Sequence, residues 1–157
     1  MTMRVQRGYT LVELLATLAV FVTLLLFAVP NFGIMLGNQR IKNAALDVVS
    51  TVTFARSEAV KRNAQVNVSA AAAGWQGGWG VAPASASTIR SHDIFNGVTI
   101  TEAGGNTQYQ FSGNGRMTQP LSLKFTVKPS TASSKIQTLC VNVGSSGRTQ
   151  TTSGACS

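Results

Sequence analysis

Three hydrophobic patterns follow one another along the chain. From Leu14 to Pro30 the residues LLATLAVFVTLLLFAVP are apolar around the whole helical circumference, and no charge occurs from Leu14 to Gln39. This run of 17 residues is at the lower edge of what spans a bilayer core as a helix, and its flanks lengthen it to a single span. After Gly37 the pattern becomes amphipathic: Ile41, Ala45, Val48, Val52, Ala55 and Ala59 recur at three- and four-residue spacing. Arg40, Lys42, Asp47, Arg56, Glu58, Lys61 and Arg62 fall largely off that stripe. Lys61 and Arg62 suit the negative pole of a helix and Asn63 suits its stop, so one helix is predicted from Tyr9 to Arg62.

Beyond residue 64 the period drops to two. Strands are predicted at Gln65–Ser69, Gly78–Val81, Val98–Thr101, Gln108–Phe111, Leu121–Val127 and Ile136–Val143. Leu121, Leu123, Phe125 and Val127 alternate with polar or basic positions, as in a half-buried antiparallel strand. GGWG, EAGGN, SGNGR and PSTASS supply the turns. Trp75 and Trp79 read as core or sheet-covering aromatics in preference to a ligand platform. The fold class is α+β: a long N-terminal helix packed on a C-terminal antiparallel β-sheet head.

Composition narrows the function. Of 157 residues 13 are basic and 5 acidic, a net charge of +8, which favours anionic partners such as nucleic acid or anionic lipid. No GxSxG, HExxH or P-loop occurs, and acidic residues are sparse, so an enzyme is not expected. The single histidine, His92, has no ligand spacing around it, and His92–Asp93 reads as a solvated loop. No metal and no cofactor are expected.

One carboxylate, Glu13, stands at the mouth of the apolar run, behind Arg4 and Arg7. A charge near a membrane helix end is costly, up to about 2.5–3.5 kcal/mol if it reached the centre, so such a residue asks for a partner or a headgroup position. A buried core helix does not fit a run that is apolar on all sides and N-terminal. A secretory signal peptide fits the basic start, but AVPNFGIML after the run holds no A-x-A-like cleavage site. The small residue, Gly8, comes before the run.

RGYTLVELL, Arg7 to Leu15, resembles the class III prepilin signal of type IV pilins and type II secretion pseudopilins. The resemblance implies cleavage after Gly8 by prepilin peptidase and methylation of Tyr9, where the family usually has Phe. It implies that Glu13, fifth from Tyr9, pairs with the Tyr9 amine of a neighbouring subunit and sets assembly register. It also matches Pro30 to the family's proline, twenty-second from Tyr9. Pro30, with Gly33 and Gly37, softens the helix; a helix that stretches in a filament and one that kinks at the membrane surface are both open.

FARSEAVKRNAQVNV, Phe54 to Val68, with WQGGWGV, Trp75 to Val81, resembles the FimT/GspH branch of that superfamily. The implied organisation is a leader at 1–8, a transmembrane and assembly half-helix at 9–36, an amphipathic half at 37–63 and a β-rich head at 64–157. The implied protein is a minor pilin of the type IV pilus, or alternatively pseudopilin H of type II secretion. It would be single-pass in the inner membrane with its head in the periplasm, then part of a filament with other pilins or pseudopilins. In such a compartment Cys140 and Cys156 are expected to form a disulfide closing the tail.

FimT-type pilins that bind DNA carry a C-terminal GRxR-like motif. Here the matching stretch is GRTQ, Gly147 to Gln150: Arg148 matches the first arginine, and Gln150 replaces the second. That replacement removes one phosphate contact, which Arg116, Lys124, Lys128 and Lys135 could make up; non-specific binding of double-stranded DNA and a head whose basic residues only solvate it are both open. Removal of residues 1–8 would take away Arg4 and Arg7 and leave +6.

Overall fold

The computed structural model describes residues 9–93, 95–119 and 122–157, and among them the side chains of all but 27–31 and 119. Gly8 and Leu121 lie outside the described residues, and so does the side chain of Pro30. The helix α1 spans Leu11–Arg62, two residues shorter at its start than the pattern suggests. The chain divides into two compact units, Met1–Leu36 and Gly37–Ser157.

In the first unit Thr10 caps the helix: its hydroxyl accepts from the Glu13 N–H at 3.2 Å. The large apolar side chains from Leu11 to Leu26 are exposed. Polar groups in the run are satisfied within the helix, since the Thr17 hydroxyl donates to the Leu14 carbonyl at 2.9 Å and Thr23 to Val20 at 2.7 Å. Among the described residues no helix is long and apolar enough to cross a membrane; the side chains of 27–31, which complete the run, are not among them.

Among its described residues the second unit holds nine strands: β1 Val66–Ala71, β2 Gly74–Pro83, β3 Arg90–His92, β4 Val98–Glu102, β5 Gln108–Phe111, β6 Met117–Gln119, β7 Leu123–Pro129, β8 Leu139–Val143 and β9 Thr149–Ser153. They form two antiparallel sheets, ordered β3-β2-β1-β5-β6 and β4-β7-β8-β9. The amphipathic stripe of α1 is the face that closes their core: Ile41, Ala45, Val48, Val52, Ala55 and Ala59 are buried with Val68, Trp75, Trp79, Tyr109, Phe111, Phe125 and Val141. Trp75 sits edge-on to Phe125, with ring centroids 5.0 Å apart. Asn63 ends the helix in the left-handed region, φ 46°, a conformation its short polar side chain tolerates.

The strands differ from the pattern in instructive ways. Ile136 and Gln137 belong to a loop, because the Gln137 N–H is taken by the Asn38 side-chain oxygen at 2.8 Å and not by a neighbouring strand. Three strands have no hydrophobic signature, β3, β6 and β9, and all three are sheet edges. His92 is not in a solvated loop. It lies half-buried on β3, stacked on Trp79 with centroids 4.7 Å apart, and its Nε2 is 3.2 Å from Asp47 Oδ2.

Candidate nucleic-acid interface

Two tight turns and the end of α1 meet at one end of the head. The β8–β9 turn runs from Gly144 to Arg148, closed by Gly147 N–H to Gly144 O at 2.8 Å and Gly144 N–H to Arg148 O at 2.9 Å. The β5–β6 turn runs from Ser112 to Arg116, closed by Gly115 N–H to Ser112 O at 2.8 Å. Asn114 reinforces it, its side-chain oxygen accepting from the Arg116 N–H at 3.0 Å. The turns are tied together by Met117 N–H donating to Ser145 O at 2.8 Å. Arg116 and Arg148 are therefore brought together by main-chain hydrogen bonding, 32 residues apart in sequence.

Beside the second turn lies an open polar cleft of about 660 Å³, lined in part by Lys124, Asn142, Ser146, Arg148 and Gln150. Its groups are two cations with hydroxyl and amide donors. Lys124 reaches it because it is next to Leu123, which pairs with Val143 just before the turn. The Lys124 ammonium also donates to the main-chain oxygen of Ser157.

The other two lysines are not part of this end. Lys128 lies four residues further along β7, about 13 Å away at strand rise, opposite Thr99 of β4. Lys135 is in the loop that Gln137 ties to Asn38. The five basic candidates thus divide: Arg116, Arg148 and Lys124 at one end, Lys128 and Lys135 at the other.

Arginine 56 joins the first group, although its position off the helix stripe marks it in the sequence only as solvent-facing. Its side chain lies against both turns: a Cβ placed at Gly147 would be 3.0 Å from its Cδ, and one at Gly115 would be 3.3 Å from its Nε. Both glycines take left-handed φ values, 73° and 75°, so the turns need glycine for conformation as well as space.

The carboxylates are engaged or elsewhere. Glu58 accepts from Arg62 Nε at 2.7 Å, and that hydrogen bond, reinforced by Lys61, holds it below the usual carboxylate range. Asp47 faces His92, and Glu102 accepts from the main chain and side chain of Asn106 at 2.7 and 2.9 Å. Among the described residues no carboxylate is within ion-pair distance of Arg56, Arg116 or Arg148.

The disulfide joins Cys140 to Cys156. It carries the tail back over β8 to β7, where the Cys156 N–H donates to the Thr126 hydroxyl at 3.1 Å. In the first unit, Tyr9 and Glu13 are placed at the start of α1, Tyr9 85% exposed.

A family model described as Type II transport protein GspH matches residues 44–147, and one described as Prokaryotic N-terminal methylation motif matches 3–29. The type IV minor pilin FimU of Pseudomonas aeruginosa superposes with a TM-score of 0.63 at 24% identity, covering 71% of this chain and 87% of that one. A second crystal form of it gives a TM-score of 0.61 at the same identity, covering 71% of this chain and 91% of that one. The minor pseudopilin EpsH of the Vibrio cholerae type 2 secretion system superposes with a TM-score of 0.59 at 11% identity, covering 73% and 97%. These likenesses show the pilin-like α+β fold. No curated protein matches the chain.

Proposed function

Since the chain belongs to the GspH family, whose members are minor pilins and pseudopilins, we propose that it is a minor subunit of a type IV pilus whose head binds duplex DNA without regard to sequence. The observation that supports DNA binding is the meeting of Arg148 and Arg116 at one end of the head, beside a polar cleft and with no carboxylate partner. Phosphate contacts of this kind supply affinity without base readout. Gln150 cannot supply the charge of a second motif arginine, and Arg116 takes that place from another turn.

In this proposal the leader ends at Gly8, Tyr9 becomes the methylated N-terminus, and the apolar run anchors the chain in the inner membrane until a filament takes it up. Glu13 pairs with the Tyr9 amine of a neighbouring subunit, which offsets the cost of a charge in lipid. The work is assembly and capture, not catalysis.

The test is a titration of the full chain, held in non-ionic detergent, against a short duplex at several salt concentrations. The expected result is binding that falls with salt, with a log–log slope of about −0.9 per phosphate contact. Arg148→Ala should lower the slope by about 1. A chain that fails to bind even at low salt would favour the second reading, a type II secretion pseudopilin, to which the description of the matching family model points.

A further inference from the structure

We infer that Arg56 is a third phosphate-binding residue of this end of the head, and that the site grips the sugar–phosphate backbone of duplex DNA and offers no platform for unstacked bases. The inference rests on the DNA-binding reading above and deepens it. Arg56 comes from α1, Arg116 from the β5–β6 turn and Arg148 from the β8–β9 turn, so three separate elements each contribute one guanidinium.

Arg56 is exposed, and its stem packs on one side against the two glycine turns. A Cβ at Gly147 would stand 3.0 Å from its Cδ and 3.0 Å from the Phe111 ring, and one at Gly115 would stand 3.3 Å from its Nε. Both turns lack side chains at the point of contact, and the stem fills that space. A guanidinium whose stem packs against the protein loses less freedom on binding phosphate than one on a free side chain. Among the described residues no carboxylate is within ion-pair distance of it, and Glu58, two residues on along the same helix, is occupied by Arg62 and Lys61.

The aromatic residues of the head point to the class of nucleic acid. Trp75, Trp79, Tyr109, Phe111 and Phe125 are buried, and Phe54 and Phe95 are half-buried. Proteins that prefer single strands stack bases on exposed aromatic rings, about 1–3 kcal/mol for each base. No such ring is exposed among the described residues of the head. What is left is backbone contact, which follows charge density and therefore favours the duplex.

Three variants in the full chain in non-ionic detergent test this, titrated with a duplex of 20 base pairs, with a mixed-sequence single strand of the same number of nucleotides, and with heparin as a polyanion that is not a nucleic acid. Arg56→Met keeps the stem and removes the charge; Arg56→Lys keeps the charge; Arg148→Ala reports on the site itself. Arg56→Met should weaken duplex binding about five- to tenfold at 0.1 M salt and lower the salt slope by about 1. Arg56→Lys should retain most of both, and the two Arg56 variants should unfold at the same temperature. The single strand should bind more weakly than the duplex. If Arg148→Ala weakens binding but Arg56→Met does not, the role of Arg56 is overturned and the DNA reading stands. Tighter binding of the single strand overturns the backbone-only site. If heparin binds and the duplex does not, or if neither binds, this inference falls together with the DNA reading.

Discussion

The indole N–H of Trp79 donates to the Thr51 hydroxyl at 2.9 Å, joining β2 to α1 inside the core of the head. Thr51 in turn donates to the Asp47 carbonyl one helical turn back, at 2.8 Å. Asp47 is also the residue whose side chain faces His92 on β3, and His92 stacks on Trp79. One polar chain thus runs through an otherwise apolar interface and fixes the rotation of the helix against the sheet.

Replacing Thr51 with Val keeps the shape and leaves the Trp79 N–H buried without an acceptor. The expected cost is about 1–3 kcal/mol, the desolvation penalty of an orphaned donor. Thr51→Ser keeps the hydroxyl and should cost less. Urea unfolding followed by tryptophan fluorescence compares the two. If Thr51→Val proves as stable as Thr51→Ser, the hydrogen bond does not stabilise the head.

How much of this was legible in the sequence depended on burial. The stripe from Ile41 to Ala59 could be read because one face of a helix must be apolar to close a core, and each of its six residues is buried. Strand β5 could be read for the same reason, in the alternation of Tyr109 and Phe111. Strand β9, TQTTS, could not: it is an edge strand with both faces largely exposed, so no hydrophobic period marks it. The candidate site was legible only in part. Arg148 stood in a motif, but its grouping with Arg116 and Arg56 depends on turn-to-turn hydrogen bonding and glycine contacts that leave no local pattern. His92 looked like a loop residue because its partners, Asp47 and Trp79, are distant in sequence.

The disulfide between Cys140 and Cys156 closes a loop with a sequence separation of 16. In the chain-entropy model a loop of that size contributes about 3 kcal/mol. Reduction, or Cys140→Ser with Cys156→Ser, should lower the urea midpoint accordingly without changing the secondary structure seen by circular dichroism. It should also loosen the tail end, whose remaining ties are the Cys156 N–H bond to Thr126 and the Lys124 bond to Ser157, each worth only about 1 kcal/mol. An unchanged midpoint on reduction would show that the tail adds nothing to the head.

Burial pushes the Tyr109 phenol well above the usual tyrosine range. In the unfolded chain it ionises near pH 10, while in the native head it keeps its proton. The native state then holds more protons than the unfolded state, so stability is fully present below about pH 10 and falls as pH rises, by about 1.4 kcal/mol per unit for this one group. Unfolding midpoints measured from pH 8 to 11 should fall less steeply for Tyr109→Phe than for the wild type. Parallel curves would mean that Tyr109 does not drive the alkaline loss.

Glu13 has two physical roles open to it, and one substitution separates them. It stands three residues after the cap residue Thr10, and its own N–H is the one that Thr10 accepts. An acidic or amide side chain at that position completes a capping box and suits the positive end of the helix. If that were its whole purpose, Glu13→Gln would serve nearly as well, since glutamine also fits the box. Pairing with the amine of a neighbouring subunit needs the negative charge, and in lipid the loss of one such pair of about 1.4 kcal/mol is a tenfold change in association. Glu13→Gln should therefore leave the chain at wild-type levels in the membrane and reduce its share in sheared filaments about tenfold. Thr10→Ala should do the reverse if capping dominates, lowering the membrane-held amount while any chain present still assembles. Equal recovery of Glu13→Gln and wild-type chain from the filaments would assign Glu13 to the helix end and not to assembly.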